Sequence, residues 1–157
     1  MVHIEECKLF SVLSPSELEF LSNSARQVNF AAGSVIFNEG DPGDGIYLIK
    51  SGRVQIFSRI GENEKVFANF VEGEIFGEMA IIENEPRSAT AKAVENTELY
   101  FIPCEAVNYV LEHSPKVSLC FLRDISRRLR EFDRHYIQEV IQAERLAIVG
   151  RFARSIV

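Results

Sequence analysis

The sequence is poor in several things, and each shortage closes off a class of function. It has no run of about 18 apolar residues, so no segment reads as a membrane span. Its first residues, Met1-Val2-His3-Ile4-Glu5-Glu6, lack the basic-then-apolar profile of a secretory signal, and a cytoplasmic location is the expectation. Cysteine is scarce. Cys7, Cys104 and Cys120 are an odd number, far apart, with no CxxC pair. They read as reduced thiols acting as small apolar side chains rather than as disulfides or metal ligands. Histidine is as sparse: His3, His113 and His135 stand in different segments, with neither HExxH nor HxH spacing. A metal enzyme, the cupin type included, and a haem or redox sensor therefore lack a ligand set. No catalytic residue, metal site or cofactor is expected. Basic residues are also outnumbered: 17 Lys plus Arg against 23 Asp plus Glu give a net charge of −6. That balance disfavours direct binding to nucleic acid, while leaving room for a local basic pocket that takes one phosphate.

What is present is ordinary globular composition, 46% hydrophobic and 25% charged, in 157 residues. This is one domain's worth of chain with room for an extension. Ser14-Pro15-Ser16-Glu17 carries an N-cap, a proline at the first helical position and a reciprocal glutamate, and predicts a helix over about Pro15 to Ala25. From Arg26 to Ile102 the rhythm shortens. Apolar or alternating runs at 28–30, 34–37, 46–49, 54–57, 66–70, 89–91 and 99–102 are punctuated by turn clusters such as Gly40-Asp41-Pro42-Gly43-Asp44-Gly45 and Gly61-Glu62-Asn63. Seven or eight short strands so spaced predict a two-sheet jelly roll. One stretch, Phe76 to Pro86, breaks the pattern and reads as a helical turn followed by a loop.

After Pro103 the chain turns helical. Glu105 to Leu111 forms a short helix, and Ser114-Pro115 repeats the cap-then-proline signal. Leu122, Ile125, Leu129, Phe132, Tyr136, Val140, Ala143 and Ala147 then recur at spacings of 3 or 4. Such a helix runs on the order of 50 Å before Gly150. It overhangs a compact domain, so its stripe predicts a parallel homodimer seam, or, over its first turns, packing on its own barrel. The expected division is a β domain with its N-terminal helix at 1–113 and the long helix at 114–157.

The informative segment for chemistry is Ile75-Phe76-Gly77-Glu78-Met79-Ala80 with Pro86-Arg87-Ser88-Ala89-Thr90. Gly77 permits backbone geometry and close approach closed to other residues. The helical turn after it offers unpaired N–H groups. Arg87 can present a planar fork to two phosphate oxygens. Glu78 would repel a phosphate but can accept from a hydroxyl. Together they ask for one phosphate with a free hydroxyl nearby, as in a ribose phosphate. The alternatives are a surface ion pair of Arg87 with Glu83 or Glu85, and a helix-start carboxylate at Glu78.

These two segments resemble the phosphate-binding cassette of cyclic nucleotide-binding domains, the family that includes bacterial catabolite activators, kinase regulatory subunits and nucleotide-gated channels. Gly33 to Asp41 and Gly45 to Val54 resemble the same family's early strands and turns. The resemblance covers about Leu9 to Arg130. It implies a mainly β fold with flanking helices, a double-stranded β-helix (jelly roll) followed by a long C-terminal dimerisation helix. It implies a cyclic nucleotide ligand, cAMP favoured over cGMP. Glu78 would take the ribose 2′-hydroxyl and Arg87 the exocyclic phosphate oxygens. The N–H groups around Met79, Ala80, Ser88 and Ala89 would cradle the phosphate. Phe76 and Gly77 complete the cassette, and Arg128 and Phe132 belong to the helix that covers the base. Phe132 and Asp133 stand where the activators carry hydroxyl residues. Phe132 therefore reads either as a stacking face for a purine or as a seam residue.

The run Gln142 to Val157 resembles the segment before the phosphoacceptor histidine of bacterial sensor histidine kinases, which implies a kinase output beyond Val157. The alternatives are the sensor half of a catabolite-activator-type regulator, whose next helix carries a comparable Gly-Arg-x-Ala run, and a ligand-free dimerisation module. In each case the chain itself is a binding or assembly module and not an enzyme.

Overall fold

Among the described residues, eight antiparallel strands form two four-stranded sheets. The computed structural model describes the backbone of residues 3–7 and 10–156, with side chains described except at 5, 132, 135–136 and 148–156. The strands are β1 (Arg26–Phe30), β2 (Val35–Phe37), β3 (Gly45–Ser51), β4 (Arg53–Ile60), β5 (Asn63–Val71), β6 (Ile75–Phe76), β7 (Thr90–Ala93) and β8 (Thr97–Pro103). One sheet runs β1-β8-β3-β6 and the other β2-β7-β4-β5. The jelly-roll expectation holds, with a helix flanking each end of the strand series.

The chain divides into two compact units, Met1–Ser118 and Leu119–Val157. In the first, α1 (Pro15–Ser24) opens with the expected capping box: the Glu17 N–H donates to Ser14 Oγ, and the Ser14 N–H to Glu17 Oε1, both at 3.3 Å. The core lies where alternate residues of β3 and β8 face β4 and β7. Ile49, Val54, Ala91 and Leu99 have no exposed surface there, and Tyr47, Phe76 and Phe101 close the cluster. Five rings gather at its upper end. Phe76 stacks on Tyr47 at 5.2 Å between centroids, with Phe37, Phe70 and Phe101 around the pair.

The structure differs from the sequence reading in two places. The stretch from Phe76 to Pro86 does not begin as a helical turn. Ile75 and Phe76 form β6 and pair with Leu48 and Tyr47 of β3, and the helix α2 (Glu78–Glu83) starts only after Gly77. Two residues are too few to display an alternation, so the strand leaves no periodic signal. Gly150 also does not end the long helix. After α3 (Cys104–His113), α4 runs Pro115–Ile156, 42 residues or about 63 Å. A single interior glycine costs only about 1 kcal/mol, too little to stop a helix of this length.

The second unit is the remainder of α4. Leu122, Leu129 and Val140 of the anticipated apolar stripe are exposed in the single chain. The side chains of Phe132 and Tyr136 lie outside the described residues. Among the described residues no helix is long and apolar enough to cross a membrane.

Leu48 sits mid-strand in β3 with no exposed surface. Leu48→Ala is expected to lower unfolding free energy by about 2–5 kcal/mol, as large-to-small changes in a packed core do, measured by chemical denaturation.

Candidate functional site

The site is built around one buried cation. Arg87 follows the loop after α2 and is only 3% exposed. A buried guanidinium needs acceptors, because its five N–H groups lose water together. Nη1 donates to the Gly77 carbonyl at 2.5 Å, and Nη2 donates to the Gly45 carbonyl at 2.7 Å and to Asp44 Oδ1 at 3.1 Å. The carbon of the guanidinium lies 4.2 Å from the centre of the Phe37 ring, a cation–π platform. Nε is buried and has no partner among the described residues.

Backbone bonds hold this arrangement from both sides. The Gly40 N–H donates to the Arg87 carbonyl and the Arg87 N–H to the Asp41 carbonyl, each at 2.8 Å. The 38–44 loop and the segment at Arg87 are thereby clamped together. Asp44 is fixed in turn by the Cys104 N–H, which donates to its carbonyl at 3.0 Å. Gly77 joins β6 to α2 with φ +83, a left-handed conformation that a side chain resists. A Cβ placed there would also stand 2.8 Å from Arg87 Nη1. The glycine therefore does two things: it turns its carbonyl to the guanidinium, and it leaves the space the guanidinium fills.

Of the residues singled out from the sequence, Gly77, Glu78, Ala80, Arg87 and Ala89 all fall in this one region of the first unit. Glu78 is buried at the first position of α2, 3% exposed, and Ala80 and Ala89 are buried as well. Met79 is half-buried and Ser88 is exposed. Phe76 has its ring in the aromatic core, forming the floor behind the cassette. Arg128 belongs to the second unit and pairs with Asp124 at 3.1 Å. Among the described residues Arg87 makes no ion pair with Glu83 or Glu85, the alternative that the loop's acidity suggests, and its carboxylate partner is Asp44. Sequence reading gave no role to Phe37, Asp44 or Gly45. The dense turn Gly40 to Gly45 was the available signal, since a glycine ahead of an apolar strand marks a close backbone approach. At Gly45 a Cβ would lie 2.4 Å from the Ile102 carbonyl oxygen.

Tyr47 lies beneath Arg87. Burial pushes its phenol above the ordinary tyrosine range, and the Asp44 carboxylate adds to the effect.

A jelly roll carrying a glycine–glutamate turn closed onto a buried arginine defines a class. The chain belongs to the cyclic nucleotide-binding domain family, which residues 27–114 match. Among its relatives, the Cyclic AMP receptor protein of Thermus thermophilus is 36% identical over 126 residues, covering 80% of this chain and 58% of that protein. The CRP-like cAMP-activated global transcriptional regulator of Mycobacterium tuberculosis is 30% identical over 123 residues, covering 78% and 55%. The crystal structure of Thermus thermophilus catabolite activator protein matches with a TM-score of 0.72 at 35% identity, over 81% of this chain and 60% of that one. The chain thus spans little more than half the length of these relatives.

Two outcomes follow for the free protein. Gly77→Ala is expected to destabilise by about 1–2 kcal/mol from the left-handed backbone alone, and by more if the guanidinium must move, read as a lowered denaturant midpoint. Tyr47 has a folded-state pKa above its unfolded one. Its contribution to stability is therefore complete below the unfolded value near 10 and is lost as pH rises through the higher folded value. Tyr47→Phe is expected to lose less stability than wild type between about pH 8 and about pH 11, by denaturation at both.

Proposed function

We propose that this chain is the cyclic nucleotide sensor of a larger regulatory protein, that it binds cAMP in preference to cGMP, and that it relays occupancy through a homodimeric C-terminal helix. The observation that carries this reading is the buried Arg87 seated on the Gly77 carbonyl, next to a buried Glu78, inside the segment that matches the family. In the bound state Arg87 and the N–H groups of Met79, Ala80, Ser88 and Ala89 hold the cyclic phosphate, and Glu78 accepts from the ribose 2′-hydroxyl. Arg128 and Phe132 keep the base-covering role that the resemblance assigns. The preference for cAMP rests on what the bacterial relatives' names say of those proteins.

The working division is a sensing part at 1–113 and a relay at 114–157, in the cytoplasm. The ligand acts by binding one of two states better than the other, and a few kcal/mol of difference suffices to shift the population. For the output, the Gln142 to Val157 run favours a histidine kinase. The length and identity of the two bacterial relatives favour the second reading, a DNA-binding regulator. The residues encoded after Val157 decide between them.

Calorimetry with cAMP and cGMP tests the core of the proposal. Wild type is expected to bind cAMP more tightly than cGMP. Arg87→Ala is expected to lose between about tenfold and a hundredfold in affinity, the range for a charge-assisted hydrogen bond. Equal affinity in the two proteins removes Arg87 from the site. A ligand-free assembly module would show no binding at all, and no thermal shift with either nucleotide.

A further inference from the structure

Resting on the sensor reading, we propose that Asp44 is a charge gate that makes the site select a singly charged cyclic phosphate against the doubly charged phosphate of a linear mononucleotide. The starting point is that both terminal nitrogens of Arg87 already have acceptors. Nη1 is taken by the Gly77 carbonyl, and Nη2 by the Gly45 carbonyl and Asp44 Oδ1. The two carbonyls belong to the backbone on either side of the guanidinium. The Asp44 side chain is different: it is 64% exposed, against 2% for that of Arg87, and water can take its carboxylate if it swings away. It is the one acceptor of the three that a ligand phosphate can displace.

Charge then sets the terms. Arg87 and Asp44 sum to zero, and Glu78 sits buried beside Gly77. An arriving phosphate meets a guanidinium whose charge is already balanced at 3.1 Å. Each negative charge it carries is opposed by the Asp44 carboxylate, which stays within a few ångströms even when it swings to water, because the Cys104 N–H holds its backbone at 3.0 Å. A cyclic phosphodiester carries one such charge. A phosphomonoester carries about 1.5 to 2 near neutral pH, its second pKa being about 6. The opposition therefore falls about twice as hard on the linear nucleotide. Arg87 cannot escape the balance by turning away, because Phe37 holds its face at 4.2 Å and the cassette clamps its backbone.

Calorimetric titration of wild type, Asp44→Asn and Asp44→Glu with cAMP and with 5′-AMP, at about pH 8 where the monoester is fully dianionic, reads the gate directly. Asp44→Asn keeps the size and the backbone contact to Cys104 and removes the charge. It is expected to tighten cAMP about fivefold and 5′-AMP about 25-fold, so that discrimination falls about fivefold, the scale of a near-surface charge acting at contact distance. Asp44→Glu keeps the charge and is expected to retain most of the wild-type discrimination. Asp44→Ala stands in should the asparagine variant melt far below wild type. An unchanged or increased ratio of the two affinities in the neutral variant, with cAMP still bound, overturns the gate alone. Failure of wild type and variants alike to bind either nucleotide overturns the sensor reading and the gate with it.

Discussion

The structure turns on keeping a guanidinium out of water. A permanently charged group at 3% exposure is tolerable only with acceptors around it, and Arg87 draws them from three parts of the chain: the β6–α2 junction, the first residue of β3, and the turn before β3. The consequences run outward. Gly77 must be left-handed to aim its carbonyl and must lack a Cβ to leave room. Gly45 must lack one to let β3 lie against β8. Phe37, at the end of β2, must present its face. The reciprocal bonds between Gly40, Asp41 and Arg87 make the 38–44 loop and the cassette one mechanical piece. A lysine would not substitute, because a point charge on a flexible stem cannot reach acceptors on two sides at fixed angles.

Much of the fold was legible because its signals are local. The capping box at Ser14 and Glu17, the short apolar or alternating runs of β3, β4 and β8, and the glycine-bearing turns each lie within a few residues of the element they define. The stripe on α4 was legible for the same reason. β6 was not, since pairing of Ile75 and Phe76 with β3 is a tertiary fact about two residues. The extent of α4 past Gly150 was missed because a glycine reads as punctuation, although a long helix absorbs it.

For the site, residue type carried the inference and partnership did not. Gly77, Glu78 and Arg87 stood out as a glycine, a carboxylate and an arginine where an anion would need the first and last. That Arg87 would be held by Asp44, 43 positions earlier, depends on the register of β3 against β8 and on the 38–44 turn, neither of which periodicity encodes. The nearby glutamates 83 and 85 were the nearer candidates in sequence and make no ion pair with it among the described residues. Proximity along the chain was a poor guide once the cassette folded away from its own loop.

This internal pairing changes what binding means at the site. A bare arginine in a hollow would attract any phosphate, and its burial would be strongly unfavourable in the absence of one. Here the carbonyls and Asp44 make the free state tolerable, and a ligand gains only the difference between its own contacts and those it replaces. Nε, buried and without a partner among the described residues, is a donor for which a new acceptor displaces nothing. A ligand acceptor that reaches it gains a hydrogen bond without breaking one, whereas one that takes the place of Asp44 gains only the difference between the two partners. Affinity at the site is then set by this exchange of acceptors.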